Sequence, residues 1–330
     1  MKRFLYCLFL IFIFLSIVGC NNPKDKKVVN NKSNSKEYKT DDLAPDEENK
    51  PEDNSLSIDN YITDQCPLMK NIIHRGLGTV APECTEPAYR LAAQAGYKYA
   101  ENDLWFTADG YPIMVHMQDV SVTSDGNGKV NELTLEYLKA LDFGNKNKFG
   151  DKYKGTKILT FEEWIALCKE LDISPYIDCK YFAASSYEGK HGVETCLSIL
   201  DKYGMRERAT WIVGLSGARS VLSYDPNARI AIICSTVEDT QNQEVYNFIA
   251  SVSDKNNRDK IILNVASGVI TEDLVKKYNA INANVEAWLA DENAYNNHAR
   301  IASLYRMRVT GFTNDGVNIG AALKKAGYSW

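Results

Sequence analysis

Among the eight cysteines of this 330-residue chain there is no Cys-x-x-Cys pair, which removes zinc-ribbon and thioredoxin-type sites. Basic residues are not in excess. The 38 Lys and Arg stand against 43 Asp and Glu, a formal charge of −5, so the cationic face that a nucleic-acid partner needs is missing. No Gly-x-Gly-x-x-Gly turn follows the first strand-like run, which weighs against a dinucleotide fold. Histidine is scarce, with four in the chain. The remaining composition, 25% charged and 45% hydrophobic, is that of an ordinary soluble protein and excludes collagen-like, coiled-coil and polytopic membrane architectures. The length admits one domain of about 250 residues with additions, or two smaller ones.

What is present begins with a leader. Lys2 and Arg3 precede an apolar run, Phe4 to Val18, which has the length of a signal-peptide core and is short for a membrane span. The run ends in Ile17-Val18-Gly19-Cys20, which resembles a bacterial lipobox. That resemblance implies a signal peptide over 1–19, cleavage before Cys20, and lipidation of its thiol. The competing reading is an N-terminal anchor helix with an incidental cysteine. Residues 20–62 are rich in Asn, Lys, Asp, Glu, Ser and Pro and poor in large apolar side chains. Such a segment cannot offset its chain entropy by burial, and it is expected to be a disordered tether. The expected location is therefore extracytoplasmic, with the protein lipid-anchored to a bacterial membrane and a folded domain spanning 63–330.

From about residue 68 the chain alternates apolar, β-branched runs with helical patterns. The expected strands are Asn71–His74, Tyr97–Phe106, Ser174–Lys180, Ala209–Val213, Arg229–Cys234, Lys260–Val265, Asn284–Trp288 and Val309–Thr313, with Ile113–His116 as an extension of the second. Helical spacing recurs between them, with Thr160 and Thr271 as expected N-caps and Gly96, Gly204 and Gly327 at expected C-terminal caps. Repeated β–α units fit a doubly wound sheet or a barrel, and the count of eight favours the TIM (β/α)8 barrel.

Chemistry gathers at the ends of the first three strands. His74-Arg75-Gly76 ends the first, Glu101-Asn102-Asp103 lies on the second, His116 ends its extension, and Asp178-Cys179-Lys180 ends the third. Alternation places Glu101 with Asp103, and Asp178 with Lys180, on one face. In a barrel that face is the interior, so the acids, both histidines, Arg75 and Lys180 would converge in one mouth. Burying so many ionisable groups is costly unless they serve a cation and an anion together. Each piece alone is weak; a lone Glu-x-Asp is usually a solvated strand end. His191 and His298 read as structural or surface residues, and Cys168, Cys179, Cys196 and Cys234 as buried apolar residues.

These motifs resemble the glycerophosphodiester phosphodiesterase family. Carrying the likeness are His74-Arg75-Gly76, Ala81-Pro82-Glu83-Cys84-Thr85, Glu101-Asn102-Asp103, Thr107-Ala108-Asp109-Gly110 and His116. It continues through Ile158-Leu159-Thr160-Phe161-Glu162-Glu163, Asp178-Cys179-Lys180, Ala287-Trp288 and Gly311-Phe312-Thr313-Asn314-Asp315. The resemblance implies a phospholipase-C-like barrel that hydrolyses glycerophosphodiesters to sn-glycerol 3-phosphate and an alcohol. It implies one divalent ion, Ca²⁺ or Mg²⁺, held by Glu101, Asp103 and Asp178, with His74 and His116 sharing acid–base work. Arg75 and Lys180 would grip phosphate oxygens, and Trp288 would face the glycerol or head group or else pack the barrel top. The expected partners are a small-molecule substrate and a membrane, with no nucleic acid and no protein partner specified.

Three departures from the family pattern stand out. Met117 replaces the acid that follows the second histidine, with Gln118 or Asp119 as candidates to compensate. Asp178 replaces a glutamate. Cys84 replaces an asparagine and is either a neutral filler or a partner for Cys66. The alternatives to a glycerophosphodiesterase are a weak or inactive barrel that binds phosphodiesters or a wall glycerophosphate polymer, and a related barrel phosphodiesterase acting on intact phospholipid.

Overall fold

The apolar runs become strands in the order expected. The computed structural model describes residues 57–180, 186–187, 190–288 and 298–329; the expected signal peptide, Cys20 and most of the expected tether lie outside the described residues. The strands are β1 (Lys70–His74), β2 (Tyr99–Phe106), β3 (Pro112–Met114), β4 (Leu159–Thr160), β5 (Ser174–Cys179), the short pair β6 (Ser186–Tyr187) and β7 (Lys190–His191), β8 (Thr210–Val213), β9 (Arg229–Cys234), β10 (Ile261–Ala266), β11 (Asn284–Trp288) and β12 (Gly311–Asn314). Eight of these, β1, β2, β5 and β8 to β12, pair in parallel around a ring that closes because β1 bonds both β2 and β12. This is the TIM barrel that eight β–α units call for. Among the described residues no helix is long and apolar enough to cross a membrane.

Two faces of each strand build two cores. Ile72, Tyr176, Ile212, Ala231 and Ile262 point inward and fill the barrel. Their neighbours Ile73, Ile177, Trp211, Ile230 and Leu263 point outward into the large core beneath the helices. The barrel floor is polar. Glu286, 1% exposed, accepts from Lys70 Nζ at 3.1 Å and from the Tyr176 hydroxyl at 3.2 Å.

The helices are α1 (Glu86–Gln94), α2 (Leu135–Ala140), α3 (Lys146–Phe149), α4 (Phe161–Glu170), α5 (Gly192–Tyr203), α6 (Leu215–Tyr224), α7 (Val237–Gln241), α8 (Gln243–Val252), α9 (Glu272–Asn279), α10 (His298–Arg306) and α11 (Ile319–Lys325). Thr160 caps α4 in a reciprocal box, its hydroxyl accepting from Glu163 N at 3.1 Å while Glu163 Oε2 accepts from Thr160 N at 2.7 Å. Thr271 caps α9 in the same way on one side, accepting from Leu274 N at 3.2 Å. Gly96, Gly204 and Gly327 have positive φ and close their helices as expected.

Two expectations are corrected. The run Ile113–His116 is not an extension of β2; β3 turns back and pairs antiparallel with it, Leu104 opposite Met114, so the strand stops two residues short of His116. It belongs to an insertion between β2 and α4 that also holds β4, α2 and α3 and has its own small core of Ile113, Val115, Val120, Val130, Leu138, Phe143 and Ile158. At the other end, residues 58–61 form a 3-10 helix instead of tether, and Ile58 and Tyr61 pack on the main core.

Candidate active site

Register explains why the acids meet. Asp103 on β2 lies opposite Asp178 on β5, and Glu101 lies opposite His74 on β1. All four point into the barrel at its carboxyl end. One oxygen each of Glu101, Asp103 and Asp178 falls within 4.8 Å of the others, and Glu101 and Asp103 are 2% and 1% exposed. Burial, with Asp103 adding to it, pushes the Glu101 carboxyl up to about 8. Burial also raises the Asp178 carboxyl, with Lys180 pulling against it and Asp103 reinforcing it. Lys180 sits across the cluster, its Nζ 2.8 Å from Asp103 and 2.5 Å from Asp178. Arg75 Nε approaches Asp103 at 3.3 Å. Glu101 and Asp103, both buried, and the half-buried Asp178 form an oxygen-only donor set that suits a hard divalent cation.

The first imidazole is held rigidly. His74 Nδ1 lies 2.6 Å from Asp315 Oδ1, which leaves Nε2 directed at the acids, 3.8 Å from Glu101. Burial pulls the His74 pKa down, but Glu101 and Asp315 outweigh it and the net shift is upward. His116 is different. Burial lowers its pKa, Asp103 opposing and Arg75 assisting. Its Nδ1 lies 3.8 Å from Glu83, which also faces Arg75 Nη1 at 3.5 Å.

The loop between β1 and α1 makes this possible through its backbone. Arg75 and Cys84 both occupy the left-handed region, at φ 57° and 60°, and Cys84 N donates to Arg75 O at 2.9 Å. Gly76 follows at φ +75°, where a Cβ would lie 2.8 Å from that of Ala88. Strained backbone of this kind persists only where its surroundings hold it.

All of Glu101, Asp103, Asp178, His74, His116, Arg75 and Lys180 therefore gather at one mouth. Trp288 ends β11 on the inward face, opposite Thr313 of β12, and its indole N–H has no partner among the described residues. Other readings change. Gln118 donates to Asn131 and Asp119 caps a 3-10 turn at Ser121, so neither compensates for Met117. The carboxylate beside His116 is Glu83. Cys84 forms no disulfide with Cys66; it is buried, and burial pushes its thiol far up, so it is a neutral filler. His298, read as a structural or surface residue, begins α10 and lines the same cavity as His74. His191 falls on β7, and its side chain lies outside the described residues.

Sequence reasoning assigned no role to Glu83 or Asp315. Both stood within recognisable motifs, but their contacts appear only when the β1–α1 loop folds back and β12 closes on β1, Ile73 opposite Asn314.

Fold and mouth together define a class, the (β/α)8 barrels with an acidic, histidine-flanked opening. Within that class the pattern of the glycerophosphoryl diester phosphodiesterase family matches residues 74–319, and the chain belongs to this family. It is 37% identical over 109 residues to bovine glycerophosphodiester phosphodiesterase 1, a match covering 33% of this chain and 33% of the relative. It is 32% identical over 171 residues to a glycerophosphodiester phosphodiesterase of Caldanaerobacter subterraneus subsp. tengcongensis, covering 51% of this chain and 68% of that one. Thus the chain matches about a third of the length of the mammalian relative and two thirds of the bacterial one. Among solved structures, a phosphodiesterase of Oleispira antarctica in complex with the product sn-glycerol 3-phosphate superposes with a TM-score of 0.64 at 21% identity, over 78% of this chain and 97% of that chain. A glycerophosphodiester phosphodiesterase from Agrobacterium tumefaciens gives 0.60 at 19%, over 77% and 99%. These two likenesses establish the fold.

Proposed function

We propose that the chain hydrolyses glycerophosphodiesters to sn-glycerol 3-phosphate and an alcohol, using one divalent ion at Glu101, Asp103 and Asp178. The observation that carries this reading is the convergence of those three acids with the Asp315-held imidazole of His74. A bound Ca²⁺ or Mg²⁺ would neutralise phosphate charge and polarise the ester. Arg75 and Lys180 hold the non-bridging oxygens, Arg75 through a guanidinium already positioned by Asp103 and Glu83. His74 and His116 exchange protons with the attacking and departing oxygens, His74 through Nε2 because Asp315 occupies Nδ1. Trp288 borders the glycerol or head group. The purified full chain is expected to release sn-glycerol 3-phosphate from glycerophosphocholine, and EDTA is expected to abolish the release. Absence of turnover across Mg²⁺, Ca²⁺ and Mn²⁺ would instead favour a barrel that binds without reacting.

We further propose that the protein is lipidated at Cys20 and held outside the cytoplasm on a bacterial membrane, on the strength of Ile17-Val18-Gly19-Cys20 and the polar segment after it. Labelled palmitate should enter the chain in a lipoprotein-processing host and be lost in Cys20→Ser; label retained in the variant would refute the assignment.

A further inference from the structure

The catalytic mouth continues into a trench of about 720 Å³ bounded by the β1–α1 loop, α3, the Ile58–Tyr61 turn and α11. Its charged lining separates into two parts. Near the reaction centre, His74 meets Asp315 at 2.6 Å and Arg75 meets Glu83 at 3.5 Å, so these charges are answered locally. The lysines of the lining are Lys148 and Lys325, and neither has a carboxylate partner among the described residues. Lys148 is fixed in place, its Nζ donating to the Gly78 carbonyl at 2.7 Å and lying 5.1 Å from the centre of the Phe149 ring. The Thr79 hydroxyl on the same wall has no hydrogen-bond partner among the described residues. A cavity that joins His74 and Arg75 to two lysines without carboxylate partners is suited to a ligand with a second negative charge besides the scissile ester. A quaternary-ammonium head group would meet like charge there.

Resting on the function proposed above, we propose that the trench is a second anion subsite. In it, Lys148 and Lys325 engage a further phosphate on the leaving alcohol, so the favoured substrates are glycerophosphodiesters whose alcohol is itself phosphorylated. Two sources supply that chemistry, a glycerophosphate oligomer and a phosphorylated lipid head group.

The test compares kcat/KM of the full chain for glycerophosphocholine, a three-unit glycerophosphate oligomer and glycerophosphoinositol 4-phosphate. At least one anionic substrate should exceed glycerophosphocholine by about tenfold, equivalent to about 1.4 kcal/mol. That preference should collapse towards unity in Lys148→Ala/Lys325→Ala and weaken as salt rises. The better anionic substrate identifies the source. No preference in the native chain, or a preference unchanged in the double variant, overturns the proposal. If no substrate turns over, the proposed activity fails while the subsite is still decided. Calorimetric titration with the oligomer in EDTA should then show binding to the native chain weakened about tenfold in the double variant, and equal binding would overturn it.

Discussion

Glu101 shows how a side chain can be poised for a cation before the cation arrives. Its carboxyl is held up to about 8 by burial and by Asp103, against about 4.5 for the same group in an unfolded chain. Between those values the folded, metal-free protein binds the proton that the unfolded chain has lost. Stability contributed by this group is therefore present below pH 4.5 and falls as pH rises towards 8. A divalent ion displaces the proton and reverses the trend. The difference in Tm between metal-loaded and EDTA-treated protein should widen from pH 5 to pH 8, and a difference independent of pH would show that Glu101 does not contact the ion. Asp315 offers a second residue-scale test. Asp315→Asn removes a charge that raises the His74 pKa, so the imidazole should titrate lower by NMR, with kcat reduced about tenfold and KM little changed. His74→Ala should cost at least about 10²-fold in kcat. An unaltered His74 titration in Asp315→Asn would reduce Asp315 to a packing contact.

Elements were legible in the sequence to the extent that their signals were local. The eight barrel strands are runs of β-branched and apolar residues, and the Thr160 and Thr271 caps depend on residues three positions away. The insertion carrying α2 and α3 was legible only as family likeness, because its seven-residue core is assembled from short, separated segments without sustained periodicity. His116 was placed at a strand end for the same reason; the turn that reverses β3 is set by Thr107, whose hydroxyl accepts from Tyr111 N at 2.9 Å. Two predictions belong at this scale. Thr160→Ala removes the cap of α4 and should lower unfolding free energy by about 1 kcal/mol in urea without affecting activity. Gly76→Ala forces a side chain into a left-handed position facing Ala88 and should cost about 1–2 kcal/mol in backbone strain, more once the clash is added. A neutral Gly76→Ala would mean that the loop can relax, and the rigidity argued for Arg75 would then be wrong.

For the whole molecule, a second buried polar network lies at the opposite end of the barrel from the candidate site. On the floor, Lys70 and Tyr176 both answer the buried Glu286. Lys70→Met leaves that carboxylate without its cation and should destabilise the protein by about 3–5 kcal/mol, whereas removing both charges in Lys70→Met/Glu286→Leu should restore much of the loss. Thermal and chemical denaturation of the two variants, compared with their residual turnover, separates folding from catalysis. Neither this network nor the pairing of His74 with Asp315 was visible in the sequence, because each joins residues more than a hundred positions apart.

Ring closure carries one more consequence. The imidazole near the start of the barrel is oriented by a carboxylate from the segment after β12, the last barrel strand in the sequence. A growing polypeptide therefore lacks the carboxylate that orients His74 through most of its synthesis. In refolding, turnover should return later than tryptophan fluorescence from the early strands, at the moment the final hairpin-free seam is sealed.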